Sequence, residues 1–248
     1  MKHIYLLHAV FLFFILLGFL YSRYKKDGIY SSSGTLATIL THYINIIFMG
    51  YFLFVYYLLY TKIYLFFGYP RITVTFLHCI MCLILVDFCI YVTHRISHTI
   101  PAVWMFHFVH HADSKLNLST SYRVSFIDAL YTTAPLLLMV MIGFPLSLAL
   151  FSYTLSISWN HAAHSKYFRL PKFLEFFFVS YNSHKTHHDQ REKNYMSNYG
   201  SAFIIWDRMF DTYVEEVQDF KPGIKGYEQN NIIKIQLDPI IKYFKKEL

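Results

Sequence analysis

The sequence predicts an all-α protein whose apolar helices form an integral membrane bundle, as one domain over residues 1–248. Three observations lead to this prediction. The chain is 55% hydrophobic and 15% charged, whereas an ordinary soluble domain has about 25% charged residues. Several apolar stretches are long enough to cross the hydrocarbon core of a bilayer. Ten of the fourteen histidines lie between residues 94 and 188, at spacings typical of helices.

The first apolar stretch, at about residues 5–21, is long enough for a short membrane span. Lys2 precedes it, and the basic segment Ser22–Asp27 follows it. A cleavable signal peptide is the alternative interpretation. It is disfavoured because no small-residue cleavage site follows the apolar stretch.

Two further spans are predicted over residues 43–60 and 72–92, because each has few polar side chains and the length of a membrane helix. The segment between them, Thr61–Arg71, contains Gly68 and Pro70. Glycine and proline indicate a turn, so the two spans are expected to form an antiparallel pair.

Residues 129–158 form a continuous apolar stretch that fits one straight span poorly. As one helix it would measure about 45 Å, against a hydrocarbon core of about 30 Å. A turn at Gly143-Phe144-Pro145 would divide it into two helices of about 20 Å each. The sequence therefore predicts a hairpin that dips into the membrane and returns, which would bring His161 and His164 to the face where His94 lies.

The distribution of basic residues predicts the orientation. With this topology, all but Lys2, Lys62 and Arg71 of the 22 lysines and arginines lie on the face that carries the histidines. Basic residues favour the cytoplasmic side, so the histidines are expected there, at a bacterial inner membrane or at the endoplasmic reticulum of a eukaryote. Because the basic residues flank apolar spans, no nucleic-acid partner is expected.

The clustered histidines predict a site with two metal ions. His94 and His98 are four residues apart, and two HxxHH repeats put each set of imidazoles along one stripe of a helix. Neutral imidazole suits iron, zinc and copper, and one metal rarely takes more than six ligands. Incidental surface histidines are the alternative for the repeats. For His161 the alternatives are a hydrogen bond that supports a ligand, or a packing role.

Other metal and hydrolytic sites are excluded by missing motifs. The chain has no HExxH metalloprotease motif, no Glu-x-x-His pair for a carboxylate-bridged di-iron site and no G-x-S-x-G elbow. The three cysteines lie within one apolar run, where free thiols are expected rather than disulfides.

Seven motifs occur in a fixed order over about Asp87–Tyr213. They are Asp87-x-x-x-Tyr91-x-x-His94-Arg95-x-x-His98, Trp104-x-x-His107-x-x-His110-His111, Asn117-Leu118-Ser119-Thr120-Ser121-Tyr122-Arg123, His164 leading to Leu170-Pro171, Asn182-x-His184-x-x-His187-His188, Asn198-Tyr199-Gly200 and Trp206-Asp207-Arg208-Met209-Phe210. This order resembles the fatty acid hydroxylase and sterol desaturase superfamily of membrane di-iron oxygenases. The gap from His188 to Asn198 is similar to that of its bacterial sterol-desaturase-like and alkylglycerol-monooxygenase branches. The chain departs from the pattern at Asp211, where a glycine is common.

The resemblance implies a mushroom-shaped helical protein, with a cytosolic cap over residues 93–128 and 159–215. The polar and basic composition of the chain from Gly226 onward predicts a peripheral tail, over 216–248. It implies two iron ions, with O2 as co-substrate, that hydroxylate or desaturate a C–H bond of a lipid or sterol-like substrate. Asp87, Asn198 and Asp207 would fix the imidazoles by hydrogen bonds. The implied metal ligands are His94, His98, His107, His110, His111, His164, His184, His187 and His188, with His161 a possible tenth.

Two electrons are needed for such a reaction, and no haem-binding His-Pro-Gly-Gly segment or flavin-binding glycine motif is present. A separate donor is therefore expected: a cytochrome b5, a ferredoxin or a reductase. The alternative function is a histidine-rich membrane protein that transports, stores or senses a metal without redox catalysis. The clustering of histidines at one face, beyond the spans, favours the enzyme.

Overall fold

The computed structural model describes residues 2–67 and 72–247, with side chains for all of these except residues 2–9, 11, 63, 66 and 67. The described residues form helices and no β-strand, which confirms the all-α prediction. Two short 3-10 segments, Leu118–Tyr122 and Leu174–Phe176, accompany the α-helices. In chain order the α-helices are α1 (Lys2–Lys25), α2 (Ser32–Phe67), α3 (Phe76–Thr99), α4 (Pro101–His111), α5 (Asp128–Thr132), α6 (Ala134–Ile142), α7 (Leu146–Ala163), α8 (Tyr181–His187), α9 (Glu192–Tyr195), α10 (Ile205–Met209) and α11 (Ile232–Phe244).

Two of the described helices are long and apolar enough to cross a membrane, judged by length and composition. They are the Ser32–Lys62 part of α2, and α3. The predicted span at about residues 5–21 falls within α1. Several of its side chains lie outside the described part of the chain, so this span stays a prediction.

α2 is longer than the span predicted over residues 43–60. Its 36 residues correspond to about 54 Å of helix. The segment predicted to link two spans is helical as far as Phe67, because no glycine or proline interrupts it before that point. The rest of the predicted link, residues 68–71, lies outside the described residues.

α3 packs along α6 and α7 around an apolar core. The three cysteines, all on α3, are free thiols, and Cys82 is buried within this core. The other buried members of the core are Val86, Ile90, Leu136, Met139, Phe144 and Ala149.

α3 and α7 run in the same direction. Just before both helices begin, the Ile72 amide donates to the Gly143 carbonyl at 3.3 Å. Midway along them, the Ser156 hydroxyl donates to the Asp87 carboxylate at 2.6 Å. Because α6 leads away from the histidines and α7 returns, the carboxyl-terminal ends of α3 and α7 lie together.

The chain reverses between α6 and α7 at Gly143, whose φ of 108° lies in the left-handed region. Pro145 follows directly and precedes the first residue of α7. The two helices differ in length, with 9 residues in α6 and 18 in α7, which correspond to about 14 and 27 Å rather than two equal halves.

The loop between α4 and α5 is tied to the connection between α1 and α2, to α2 itself and to α11. The side-chain amide of Asn117 donates to the Ile29 carbonyl at 2.9 Å, and the side-chain amide of Asn45 donates to the Ser125 carbonyl at 2.9 Å. Gln236 of α11 donates to the Val124 carbonyl at 3.1 Å. These bonds hold the loop against α2 and α11, beside the histidines of α4.

We expect Gly143→Ala to lower the free energy of unfolding by about 1–2 kcal/mol, because a Cβ atom is strained at this positive φ. Denaturant unfolding of the detergent-solubilised protein, followed by circular dichroism, measures this loss. Gly50→Ala is the matched control: it lies inside α2, and nothing lies within 4 Å of its added Cβ. Equal stability of the two variants would contradict the role of Gly143.

Candidate metal centre

Nine of the ten predicted histidine ligands form two neighbouring groups. Within each group, one ring nitrogen from every histidine lies within 4.8 Å of the others. The groups touch where the rings of His111 and His188 stack, with centroids 4.4 Å apart. The first group is His94, His98, His107, His111 and His187, and the second is His110, His164, His184 and His188.

Each HxxHH repeat contributes to both groups. In α4, His107 and His111 belong to the first group, while His110 belongs to the second. At α8 the division is reversed, because His184 and His188 belong to the second group and His187 to the first. On a helix, residue i+4 lies closer to the direction of residue i than residue i+3 does, and the two lie on opposite sides of it. One HxxHH repeat can therefore supply histidines to two neighbouring metal positions.

Backbone carbonyls hold three of the imidazoles. His94 Nδ1 donates to the Tyr199 carbonyl at 2.8 Å, and His187 Nδ1 donates to the Ser197 carbonyl at 2.6 Å. His164 Nδ1 donates to the Asn160 carbonyl at 2.8 Å, one turn back in α7. Because a carbonyl only accepts, Nδ1 carries the proton and Nε2 keeps its lone pair. This is the usual arrangement for a histidine that binds a metal through Nε2.

The free Nε2 atoms turn toward other imidazole nitrogens. His94 Nε2 lies 3.1 Å from His107 Nε2, and His187 Nε2 lies 3.1 Å from His111 Nε2. Neither ring nitrogen of buried His98 has a hydrogen-bond partner in the described part of the chain. Buried nitrogens of this kind need a partner, and a cation in each group would supply one.

Burial keeps these imidazoles in the neutral form that binds metals. Burial lowers the pKa of His110 to about 3. For His184 and His187, burial first and neighbouring histidines second hold the pKa well below the ordinary value. The donor set consists of nitrogen alone, which suits iron, zinc or copper and not magnesium or calcium. Nine donors in two groups fit two metal ions.

Asp87 forms no hydrogen bond to an imidazole within residues 2–67 and 72–247. Its carboxylate accepts hydrogen bonds from the Ser156 hydroxyl, the Ala202 amide, the Phe203 amide and the Trp206 indole, at 2.6 to 3.2 Å. The expectation of a direct bond to a histidine is therefore corrected. Asp87 instead ties α3 to α7 and to the segment that follows Tyr199.

Asn198 also bonds to the backbone rather than to an imidazole. Its side chain donates to the Ser183 and Val214 carbonyls and accepts from the Val214 amide. Its φ of 55° lies in the left-handed region, which asparagine tolerates better than most residues. Asn198 thus fixes the bend between Ser197 and Tyr199, whose carbonyls hold two histidines.

Asp207 bonds to the same segment. Its carboxylate accepts from the Tyr199 amide at 2.7 Å, the Gly200 amide at 2.8 Å and the Thr212 hydroxyl at 2.7 Å. Burial raises the pKa of Asp207 to about 6. Asp211, where glycine is common in the motif, has a φ of 54°. The turn therefore forms with an aspartate in the left-handed conformation. Asp207 still accepts its hydrogen bonds from the Tyr199 and Gly200 amides.

His161 lies outside both groups. Its ring lies 4.3 Å from that of Tyr122, centroid to centroid. It lines a cavity of about 240 Å³ whose wall also includes His94, His107 and His110. His161 therefore faces the space beside the metal centre rather than the centre itself.

The sequence patterns do not indicate the role of some residues at the centre, although Trp104 and Tyr199 both belong to the motifs above. The carbonyls of Asn160, Ser197 and Tyr199 act through the backbone, so their side chains do not identify them. Trp104 stacks on Tyr195 with ring centroids 5.3 Å apart and lies 4.9 Å from the ring of His98. This pair of rings covers the first group of histidines.

Comparison with known proteins gives a consistent result. The family model described as Fatty acid hydroxylase matches residues 79–212, more than half of the chain. Alkylglycerol monooxygenase from Xenopus tropicalis is 30% identical over 142 residues, which are 56% of this chain and 31% of that protein. Ornithine lipid hydroxylase OlsE from Rhizobium tropici is 28% identical over 135 residues, 53% of this chain and 40% of that protein. The alignments thus span less than half of these relatives. No solved structure matches the chain.

We expect Asp207→Asn to lower the free energy of unfolding of the metal-free protein by about 1–3 kcal/mol. An amide oxygen can accept from the Tyr199 amide, but the amide nitrogen then faces the Gly200 amide and leaves it unpaired. Denaturant unfolding measures the loss. Asp211→Asn is the matched control, because this exposed residue has no such partner among the described residues and asparagine also tolerates a positive φ. A stability of Asp207→Asn equal to that of Asp211→Asn would refute this role.

Proposed function

The chain belongs to the fatty acid hydroxylase family, and from this membership we propose that it is a membrane oxygenase with two iron ions. It would use O2 and external electrons to hydroxylate or desaturate a C–H bond of a lipid or sterol-like substrate. One observation carries the proposal: two adjacent groups of neutral imidazoles lie directly beside a cavity.

Iron is the metal that both binds to imidazole ligands and supports the oxidation reactions of a hydroxylase family. Imidazole also binds zinc and copper, but zinc has no redox chemistry. When bound, two iron ions supply, with O2 and two electrons, the oxidation of an unactivated C–H bond. The proposed ligands are the nine histidines of the two groups. His161 is not a proposed ligand and lines the cavity instead.

The chain itself orients the ligands and limits access of water. The Tyr199, Ser197 and Asn160 carbonyls fix three imidazoles with Nε2 turned inward. Trp104 and Tyr195 cover the first group of histidines from outside the cavity. A substrate in the cavity would lie against His94, His107 and His110, where its C–H bond can be oriented.

A lipid substrate fits both the relatives and the surface of the helices. The names of the two relatives refer to an alkylglycerol and to an ornithine lipid. On α2, Ile47 is 71% exposed and Phe54 is 58% exposed, as expected for side chains that contact lipid.

We propose the following arrangement for the single domain in the membrane. Helices over about 5–21, 43–60 and 72–92 span the bilayer, and the hairpin over 129–158 dips into it. The cap over 93–128 and 159–215 lies on the cytoplasmic face, and residues 216–248 form a peripheral tail. The excess of lysine and arginine around the histidines supports this orientation.

Electrons would come from a separate cytochrome b5, ferredoxin or reductase. The cap exposes basic side chains, among them Lys115, Arg169 and Lys172. An acidic donor protein would be attracted to such a surface, which raises the rate of encounter.

The test is turnover under 18O2 by the iron-loaded protein, reduced through a ferredoxin and its reductase, with extracted lipids as substrates. Mass spectrometry should detect a lipid with one 18O atom, or a lipid that has lost two hydrogens. We expect the double variant His187→Ala, His188→Ala to lower product formation by more than about 100-fold, because it removes one ligand from each group.

His78→Ala is the control, because His78 lies at the start of α3 and bonds only to Thr75 in the described part of the chain. It should retain activity. If the reduced protein holds two irons and forms neither product from any lipid fraction, the oxygenase proposal fails. Metal transport, storage or sensing would then become the better explanation.

A further inference from the structure

The last helix, α11, leaves one row of large apolar side chains uncovered. Each of the four residues in this row is between 43 and 75% exposed. At about 100° per residue, they lie within about 80° of one another around the helix axis. We call this row the apolar stripe, and its members are Ile233, Leu237, Ile241 and Phe244. An exposed apolar surface of this kind marks a contact with lipid or with another protein.

Lysines border the apolar stripe. Lys234 and Lys245 lie within about 40° of its edge around the helix axis, and Lys246 follows at the end of the helix. All three are exposed, and none forms an ion pair within residues 2–67 and 72–247. Asp238, the acidic residue of α11, accepts a hydrogen bond from the Tyr227 hydroxyl at 3.4 Å. The border of the stripe therefore presents positive charge to its surroundings.

The other face of α11 is fixed against the protein. Ile235 is buried in a cluster with Ala37 of α2 and Val109 of α4. The Gln236 side chain accepts from the Phe126 amide at 3.0 Å, and both Gln236 and Ile235 are buried. These contacts set the rotation of α11 about its own axis. The apolar stripe is therefore held on the outside of the protein.

α11 begins next to the first turn of α2, whose Ser32–Lys62 part is long and apolar enough to cross a membrane. The Asn230 side chain donates to the Ser33 hydroxyl at 3.4 Å. Leu36 and Leu40, at the same end of α2, are exposed as expected for side chains that contact lipid. A bilayer around α2 would thus reach the apolar stripe.

A bilayer fits this surface better than a second copy of the chain. Two copies that packed stripe against stripe would bring their bordering lysines together, and like charges repel. A helix with an apolar face and lysines beside it is typical of helices that lie in the membrane interface. There, acyl chains cover the apolar face and anionic headgroups attract the lysines.

We propose that α11 binds anionic phospholipids of the leaflet on the histidine side. Its apolar stripe inserts among the acyl chains, and Lys234, Lys245 and Lys246 contact the headgroups. Because α11 also packs on α4, it ties this lipid surface to the helix that carries three of the nine histidines. The inference rests on the proposed position of the cap at the membrane, and it does not depend on the oxygenase chemistry.

The first test measures whether the apolar stripe lies in the bilayer. The iron-loaded protein is placed in nanodiscs of phosphatidylcholine and phosphatidylserine, with the fluorescent amino acid Anap in place of Leu237, an exposed residue of the stripe. A phospholipid with a nitroxide on its acyl chain quenches a fluorophore that lies among the acyl chains. We expect quenching at least about 3-fold stronger than with Anap in place of Lys225, an exposed residue outside α11. Equal quenching at the two positions would overturn the inference.

The second test measures whether the lysines select anionic lipid. The nitroxide is carried either by phosphatidylserine or by phosphatidylcholine, and the ratio of the two quenching efficiencies at position 237 reports which lipid is enriched there. We expect a ratio of at least about 2 in favour of phosphatidylserine, because each lysine attracts its headgroup. The triple variant Lys234→Gln, Lys245→Gln, Lys246→Gln should lower this ratio to about 1.

The matched control removes the same charge from exposed positions outside α11 and should keep the ratio of the unchanged protein; it is Lys115→Gln, Lys172→Gln, Lys193→Gln. A ratio of about 1 in the unchanged protein, or a ratio that the α11 variant does not lower, would overturn the inference. Two chains per nanodisc that separate in Leu237→Gln would identify a second copy as the occupant and would also overturn it. If α11 binds lipid as expected while no lipid is oxidised, only the oxygenase proposal fails.

Discussion

Nine imidazoles are packed against one another, and none of the acidic side chains that the structure describes lies among them. The arrangement of the helices and loops around the histidines depends on this cluster. Burial disfavours the cationic form, so the rings are neutral. Carbonyls fix the proton of three rings on Nδ1, which directs the Nε2 lone pairs inward. Lone pairs that face one another in a dry interior need cations between them, and the division into two groups matches two ions.

The fold brings the histidines together because the carboxyl-terminal ends of α3, α4, α7 and α8 lie close to one another. The reversal at Gly143 makes α7 parallel to α3, so His94, His98 and His164 lie at the same end. The HxxHH repeat of α4 and the repeat at α8 each contribute histidines to both groups. Asp87 and Asp207 act further out, because their carboxylates fix the segment whose carbonyls hold His94 and His187. These aspartates are thus positioning residues of the centre.

Much of this could be predicted from the sequence because spacing on a helix is a local property. The i, i+3 and i+4 histidines predicted shared faces, and the pair of Gly143 and Pro145 predicted a break in the apolar stretch. The division of each repeat between two groups depends on the crossing of helices distant in the chain, so spacing alone does not give it. Two of the four donors to Asp87, and the carbonyls that hold three of the imidazoles, are backbone groups, which every residue has and no side-chain pattern distinguishes.

The central claim is that the two histidine groups bind two iron ions as one centre. The most direct measurement is Mössbauer spectroscopy with iron counting, after anaerobic loading of the purified protein with ferrous iron and exposure to O2. The account predicts two magnetically coupled irons per chain, lost in the double variant His187→Ala, His188→Ala and kept in His78→Ala. A chain that binds no more than one iron, or an iron content unchanged in the double variant, would contradict it.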